Sequence, residues 1–253
     1  MINLIRSEVL KIRSTQVWIW MLVLAVVFTG LITLGASADA VRRYESGQPV
    51  VYYDLFTTST SASFALMILG ILGLTTEFRH QTITPTLLAT PNRWKLLAGK
   101  IASYGVFSII YSIVCIAVNF TVAIIWLSAK NVPLEYGHGV AGGVVKVFIS
   151  LVLLGIFGLG VGALIRNQAA AMVLGIVYFG ILNFLLAGIP FIRKVWMFEP
   201  GGAFAVFTSN GQMTGLSSDV YVITPMAGLA ILIGWCVLIL GLGAVLSLNR
   251  DIS

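Results

Sequence analysis

The chain has 253 residues, of which 58% are hydrophobic and only 9% are charged, and its mean hydropathy is +1.00. A soluble domain carries roughly 25% charged residues, so this composition excludes an ordinary soluble enzyme or binding domain. The formal net charge is +6 at pH 7, and the few charged residues lie mostly between long apolar runs.

Six runs contain no Asp, Glu, Lys or Arg and are long enough to cross a bilayer, which needs roughly 20 apolar residues. Strands of an outer-membrane barrel would be about 10 residues long and would alternate between apolar and polar positions, and these runs do not. The sequence therefore predicts an all-α polytopic membrane protein with six spanning helices, in the runs 16–38, 55–76, 101–129, 147–165, 167–192 and 220–249.

An even number of spans places both termini on one side of the membrane. With both termini in the cytoplasm, nine of the 15 basic residues lie inside, which satisfies the positive-inside rule. We therefore expect a multi-pass protein of the cell membrane with cytoplasmic termini. The first run lacks a convincing signal-peptide cleavage site, so we expect it to be retained as a helix.

The N-terminal residues 1–15 have the pattern of an amphipathic helix, with Ile2, Ile5, Val9 and Ile12 on one face. Charged residues surround this face or lie opposite it: Arg6, Glu8, Lys11 and Arg13. The pattern predicts a helix that lies on the membrane surface. It either serves only as a positively charged anchor or also contacts a cytoplasmic partner.

Residues 77–100 form the longest cytoplasmic connection between spans, beyond the 2–8 residues that joining two helices requires. Thr84-Pro85 and Thr90-Pro91 each combine a hydroxyl N-cap with proline at the first helical position, which predicts two short helical starts. We interpret the segment as a docking surface for a cytoplasmic motor. The alternative is that Glu77 and Arg79 simply pair with each other.

The segments on the other side are polar or aromatic. We expect 37–58 to be a short polar loop with a turn at Gly47-Gln48-Pro49. The aromatic segment 190–222 predicts short helices at the outer interface, broken by glycines such as Gly201 and Gly202. No separate soluble unit is indicated, so residues 1–253 are expected to form a single transmembrane domain.

The spans contain few polar side chains. The absence of Asp and Glu at mid-membrane argues against a proton-coupled or sodium-coupled carrier. Asn119 and Asn183 either hydrogen-bond between helices or line a substrate path. Gly158 and Gly162 have G-x-x-x-G spacing, which predicts close helix packing, either within one subunit or between two.

No sequence pattern for ATP hydrolysis is present in the chain. A P-loop has the pattern G-x-x-x-x-G-K-[ST], whereas Gly99-Lys100 is followed by Ile101 and has Trp94 at the position of the first glycine. We therefore expect ATP chemistry from another polypeptide.

Other catalytic or metal chemistry is not indicated either. His80 and His138 are predicted on opposite sides of the membrane, so they cannot share a catalytic site. Cys115 and Cys236 lie in separate spans without metal-ligand spacing, and we expect them to be buried spectators. We assign no catalytic residue and no metal site.

Two stretches have a familiar pattern: Glu8 to Thr15, before the first span, and Thr76 to Ile83 followed by Leu87 to Pro91, after the second. They resemble the permease subunits of the ABC-2 family of ATP-driven transporters. The resemblance implies an N-terminal elbow helix and a coupling helix within 77–100 that docks on a separate nucleotide-binding subunit. It also implies short external helices before the sixth span.

By this resemblance, Glu77 and Arg79 would transmit ATP-driven movement, with Phe78 and Thr82 in the same docking region. The chain itself would hold no cofactor, since ATP and Mg²⁺ would bind the nucleotide-binding partner. A second permease copy or a homologous permease would complete the path, and no nucleic acid is expected as a partner.

The function expected from this resemblance is ATP-driven export of a hydrophobic or amphipathic substrate, such as a drug, antibiotic, lipid or small peptide. Two alternatives stay open at this point. One is an ATP-independent carrier or channel, and the other is a non-transporting membrane anchor or sensor that recruits an ATPase.

Overall fold

The structure is a computed structural model, and it describes residues 2–82, 93–134, 137, 139–165, 167–189, 192–209 and 223–248. Over these residues it is all-helical, with no strand. Six helical segments are long and apolar enough to cross a membrane. The predicted fold class is therefore confirmed.

The helices follow one another with short connections. In chain order they are α1 Ile2–Ser14, α2 Val17–Glu45, α3 Tyr52–Phe56, α4 Ser63–Arg79, α5 Arg93–Ala129, α6 Val140–Leu164, α7 Gln168–Ile176, α8 Asn183–Gly188, α9 Arg193–Trp196, α10 Pro200–Thr208 and α11 Pro225–Leu248. A 3₁₀ turn, Thr58–Ala62, joins α3 to α4, and a π-helical segment, Val177–Leu182, joins α7 to α8. The six spans are α2, α3 with α4, α5, α6, α7 with α8, and α11.

Helix α2 is longer than the apolar run that predicted it. It continues through Asp39 to Glu45, and Arg43 Nε lies 2.6 Å from Asp39 Oδ2 in an i,i+4 ion pair. Such pairs support a helix, and basic residues near its C-terminus interact favourably with the helix dipole. The expectation that 37–58 is a loop was therefore wrong for 37–45, and it was also wrong for 52–56, which form α3. The turn at Gly47 is present, with φ of 69°.

Helix α6 is the central helix and packs against α4, α5 and α11. Its contact with α4 is a direct backbone contact. A Cβ added to Gly158 would lie 2.1 Å from Met67 O, and one added to Gly162 would lie 2.5 Å from Ile71 O. The G-x-x-x-G pattern therefore packs within one subunit, because the glycines remove the side chains that would hold the helices apart.

The short helices before the last span are present as α9 and α10, but Gly201 and Gly202 do not break them. Gly201 and Gly202 lie inside α10 directly after Pro200. A Cβ at Gly202 would lie 1.9 Å from Trp196 O, and one at Gly201 would lie 2.2 Å from Asn183 Oδ1. These glycines allow α10 to approach α9 and α8 closely, so the prediction about them was wrong.

Candidate functional site

Four charged side chains from three helices meet at the end of the bundle that α1 covers. We call Glu8, Lys11, Glu77 and Lys100 the ion quartet. Lys100 Nζ lies 2.8 Å from Glu8 Oε2 and 2.8 Å from Glu77 Oε1. Lys11 Nζ lies 2.7 Å from Glu8 Oε1 and 3.0 Å from Glu77 Oε1. Each ammonium group therefore bridges both carboxylates, and the formal charges balance.

The quartet is largely withdrawn from solvent. The exposed fraction of the side chain is 1% for Lys100, 3% for Glu8 and 8% for Glu77, whereas Lys11 keeps 45%. Burying a charge without a partner is costly, so removal of one member leaves the others in an unfavourable state. Among the described residues, no group donates a hydrogen bond to the buried Glu77 Oε2.

The electrostatics of α1 agree with this geometry. Burial raises the pKa of the Glu8 carboxyl, but the ammonium groups of Lys100 and Lys11 outweigh burial and hold the pKa below its ordinary value of 4.5. Burial lowers the pKa of Lys11, whereas the bonds to Glu8 and Glu77 raise it above its ordinary value of 10.5. Both groups of α1 are therefore charged at neutral pH.

Apolar and close backbone contacts set α1 in position for these ion pairs. Ile12 is buried in the main hydrophobic core, and Val9 packs against the same core. A Cβ added to Gly99 would lie 2.8 Å from Leu4 Cδ2, so the absence of a side chain at Gly99 lets α1 lie directly on α5. The predicted amphipathic pattern thus forms a helix that packs on the bundle through its apolar face and through Glu8.

A cavity of about 390 Å³ adjoins the quartet between α1, the beginning of α2, α4 and α5. The quartet lines it together with Trp18, Gly73, His80 and Tyr104. Trp18 Nε1 is buried and has no hydrogen-bond partner among the described residues. The cavity therefore places aromatic and polar side chains next to the quartet.

The chain beyond the quartet is exposed. Arg79, His80, Gln81 and Thr82 form the end of α4 and the turn that follows, and all four are solvent-exposed. Arg79 Nη1 donates a hydrogen bond of 3.2 Å to Gln168 Oε1 of α7. Within the described residues, Arg79 makes no salt bridge. The alternative that Glu77 and Arg79 simply pair with each other is therefore wrong, because Glu77 points into the bundle and Arg79 points out of it.

The remaining residues predicted for this region have different surroundings. Arg6 and Arg13 are exposed on α1, and Phe78 packs against the main hydrophobic core. The helical starts predicted at Thr84-Pro85 and Thr90-Pro91 lie outside the described residues. The chain is described again from Arg93, where α5 begins.

Asn119 is fully buried and joins three elements. Its Nδ2 donates to Thr33 Oγ1 at 2.9 Å and to Leu55 O at 3.1 Å, and also to Thr58 Oγ1. This confirms hydrogen bonding between helices for Asn119. Asn183 Oδ1 accepts a hydrogen bond of 2.7 Å from Trp196 Nε1, so it ties α8 to α9.

The described part of the chain contains no group of three or more His, Cys, Asp or Glu side chains that could hold a metal ion. Cys115 and Cys236 are free and buried, as expected. His138 lies outside the described residues. The site is an ionic junction between three helices.

The sequence patterns did not predict that Glu8, Glu77 and Lys100 meet. Glu8 and Lys100 are 92 positions apart, and Lys100 was predicted only as the last residue of the cytoplasmic segment 77–100. The charges themselves were nevertheless a usable signal. Charged groups close to a membrane span need partners. The two acids and the two bases of the quartet all lie near the ends of spans that were predicted on the cytoplasmic side.

Comparison with known proteins adds one finding. Residues 4–183, well over half of the chain, match the sequence model of a family described as ABC-2 family transporter protein. The match includes α1, the quartet and the spans up to the start of α8. No curated protein matches the chain.

Proposed function

Because the chain belongs to the ABC-2 transporter family, we propose that it is the membrane permease subunit of an ATP-driven exporter. The family implies, in general, an ATPase partner and a permease partner. In this proposal the ATPase holds ATP and Mg²⁺ at the cytoplasmic face of the membrane. The path of the transported molecule lies between two permease subunits.

The observation that carries the proposal is the ion quartet. It joins α1 to the end of α4 and to the first turns of α5 through four contacts of 2.7 to 3.0 Å. Charge-assisted hydrogen bonds fix orientation as well as distance. A displacement of α1 or of the segment 77–100 is therefore passed to two spans at once, which suits an elbow helix and a coupling segment.

The exposed residues beyond the quartet suit contact with the motor. Arg79 projects from the end of α4, and among the described residues its hydrogen-bond partner is the neutral Gln168. Its guanidinium keeps donors that a carboxylate of a partner can accept in a bidentate pair. His80 and Thr82 are exposed beside it.

This arrangement separates two roles that the sequence had assigned together. Glu77 is a positioning residue, since it is buried and its carboxylate is bound to Lys11 and Lys100. Arg79 is the contact residue. Closure of the motors would press on Arg79 and its neighbours, and the quartet would transmit the movement to α1, α4 and α5.

The transported molecule is proposed to be hydrophobic or amphipathic, as in the export of a drug, antibiotic, lipid or small peptide. No acidic residue lies at mid-span to bind a coupling ion, which favours a motor-driven permease over an ion-coupled carrier.

The test is quantitative co-purification of the tagged chain from its native cells in mild detergent, followed by measurement of ATPase activity. We compare wild type with Arg79→Ala and Gln168→Ala. Gln168→Ala removes the intrachain partner of Arg79 but keeps the cation, so it is a matched control. We expect a P-loop ATPase with wild type and Gln168→Ala, and several-fold less with Arg79→Ala at an unchanged melting temperature.

Recovery of the chain without any P-loop ATPase would contradict the proposal and favour a carrier or channel. Equal loss of the ATPase in Arg79→Ala and Gln168→Ala would contradict the contact role of Arg79. A third outcome is that an ATPase co-purifies but amphipathic compounds do not change its rate of ATP hydrolysis. This outcome would favour a membrane anchor or sensor.

A further inference from the structure

A second cavity shares no lining residue with the cavity beside the ion quartet. Its volume is about 460 Å³, within the range of about 300–1,000 Å³ that small-molecule sites occupy. It lies between α4, α6, α7, the π-helical segment and α11, and Pro200, the first residue of α10, is also part of its lining. Its lining is almost entirely apolar, and four of its side chains are aromatic: Phe157, Tyr178, Phe179 and Trp235.

One carboxylate, that of Glu199, is part of this apolar lining. Glu199 is partly buried, and Tyr178 Oη donates a hydrogen bond of 3.2 Å to its Oε2. Among the described side chains, none of the Lys or Arg residues forms a salt bridge with Glu199. Glu199 also directly precedes α10, whose N-terminus favours a negative charge. The pocket therefore has one anionic group without a described counter-charge.

The aromatic side chains add to the attraction for a cation. The ring of Phe179 lies 6.0 Å from that of Phe157 and 5.0 Å from that of Tyr178, both in edge-to-face arrangements. Trp235 Nε1 donates a hydrogen bond of 2.8 Å to Phe198 O, so its indole N–H is already used. The faces of aromatic rings attract cations, and their area also favours apolar groups.

The π-helical segment Val177–Leu182 contributes to this lining. Adjacent residues of an α-helix point about 100° apart, because the helix has about 3.6 residues per turn. In the π segment, Tyr178 and Phe179 both line the pocket, as do Val177 and Leu182. π-Helical turns frequently occur at functional sites, and here the irregular turn gathers side chains around Glu199.

We propose that this pocket binds a hydrophobic cation, whose charge pairs with Glu199 while its apolar groups contact the aromatic rings. A carboxylate in apolar surroundings rejects anions and loses little by binding a cation that is itself weakly hydrated. The claim that this pocket receives the transported molecule rests on the proposed function. The claim that the pocket binds a hydrophobic cation does not depend on it.

The test uses two probes of matched shape and opposite charge, tetraphenylphosphonium and tetraphenylborate. The purified chain is held in uncharged detergent micelles without any ATPase partner, and binding is measured by equilibrium dialysis. We expect saturable binding of tetraphenylphosphonium only. Glu199→Gln should weaken it roughly tenfold, the factor that about 1.4 kcal/mol represents. Glu45→Gln, which alters an exposed acid, is the matched control and should leave binding unchanged.

Equal binding of both ions, or unchanged binding by Glu199→Gln, would overturn the proposal, because apolar partition would then explain the signal. If Glu199→Gln fails to fold, Phe179→Leu tests the same pocket without altering the acid, and full affinity in that variant would also overturn it. Absence of binding would leave the ATPase result intact, and absence of an ATPase would leave the binding result intact.

The cationic group can belong to a free molecule or to a lipid headgroup, and a competition arm separates the two sources. Phosphatidylethanolamine added to the micelles should displace tetraphenylphosphonium if a lipid ammonium is the natural occupant, whereas phosphatidylglycerol should not. Lack of displacement by either lipid assigns the site to a free cation. Displacement by phosphatidylglycerol alone would contradict a cation site.

Discussion

The Lys100 ammonium group lies 2.8 Å from a carboxylate oxygen of Glu8, although the two residues are 92 positions apart. This contact fastens the N-terminal helix to a membrane span at a depth where the lysine is 1% exposed. The pair belongs to a junction of two acids and two bases. Its contribution to the free energy of unfolding therefore depends on the balance of the four charges more than on any single bond.

We predict that Lys100→Met destabilises the protein strongly, because Lys11 would then be the one described cation shared by Glu8 and Glu77. Breaking a buried pair by removing one partner costs about 3–5 kcal/mol. Thermal unfolding in detergent measures the loss. Lys130→Met is the matched control, since Lys130 is exposed and its removal should change the melting temperature little.

The double variant Glu77→Gln/Lys100→Met should be more stable than Lys100→Met alone, since Glu8 and Lys11 remain as a balanced pair. We expect a coupling energy of about 0.5–3 kcal/mol in a double-mutant cycle. Additive effects of the two changes would show that the junction does not act through charge balance.

The attachment of α1 should depend on pH in a defined way. The pKa of Glu8 is lowered by folding, so its contribution is present above about pH 4.5 and is lost as pH falls through the folded value. The pKa of Lys11 is raised, so its contribution is present below about pH 10.5 and is lost as pH rises through the folded value. We expect α1 to stay attached between about pH 5 and pH 10.

A nitroxide on Ser14→Cys reports this attachment, because Cys115 and Cys236 are buried and should escape labelling. Its mobility should rise only at the two extremes of pH, and Glu8→Gln should weaken the acid transition. A rise in mobility between pH 7 and pH 6 would show that another group controls the attachment.

The backbone contact of α4 and α6 predicts a sharp difference between two glycine substitutions. Gly158→Ala places a Cβ against Met67 O and should cost about 1–3 kcal/mol, as overpacking does. Gly105→Ala has nothing within 4 Å of the new Cβ and should be neutral or slightly stabilising. Melting temperatures of both variants provide the comparison. A change in oligomeric state at unchanged stability in Gly158→Ala would instead place this face between subunits.

Asn119→Leu should lower stability by about 1–2 kcal/mol, because its hydrogen bonds to Thr33 and Leu55 are lost in an apolar environment. Thr33→Val removes one partner and serves as the second arm of a double-mutant cycle. We expect no change in the range of molecules transported. An altered range at wild-type stability would return Asn119 to the substrate path.

The sequence predicted the spans well because the bilayer fixes their length and forbids unpaired backbone groups within it. Charge was a poor guide to where helices end, since α2 continues through Asp39 and Arg43, which stabilise it as a pair. Composition describes what can cross the membrane, whereas helix length also depends on local pairs beyond it.

The candidate site was predictable only in part. The segments around Glu8 and Glu77 were recognised from their motifs, but the sequence did not predict that Glu77 points into the bundle and binds Lys11 and Lys100. Side-chain direction near the end of a helix depends on the helix packed beside it, here α1. Packing against neighbouring helices also explains Gly201 and Gly202. As residue types they predicted a break between helices, whereas in the fold they allow α10 to pack closely on α8 and α9.

The glycine contact between α4 and α6 also has a mechanical consequence. Where backbone meets backbone, there is no intervening layer of side chains that could change rotamer and let one helix slide along the other. We therefore expect α4 and α6 to move together as one rigid unit. Glu77 lies at one end of this unit, and at the other end Gly143 of α6 contacts Tyr53. A movement delivered at Glu77 would therefore displace α4 and α6 together, as far as the contact between Gly143 and Tyr53.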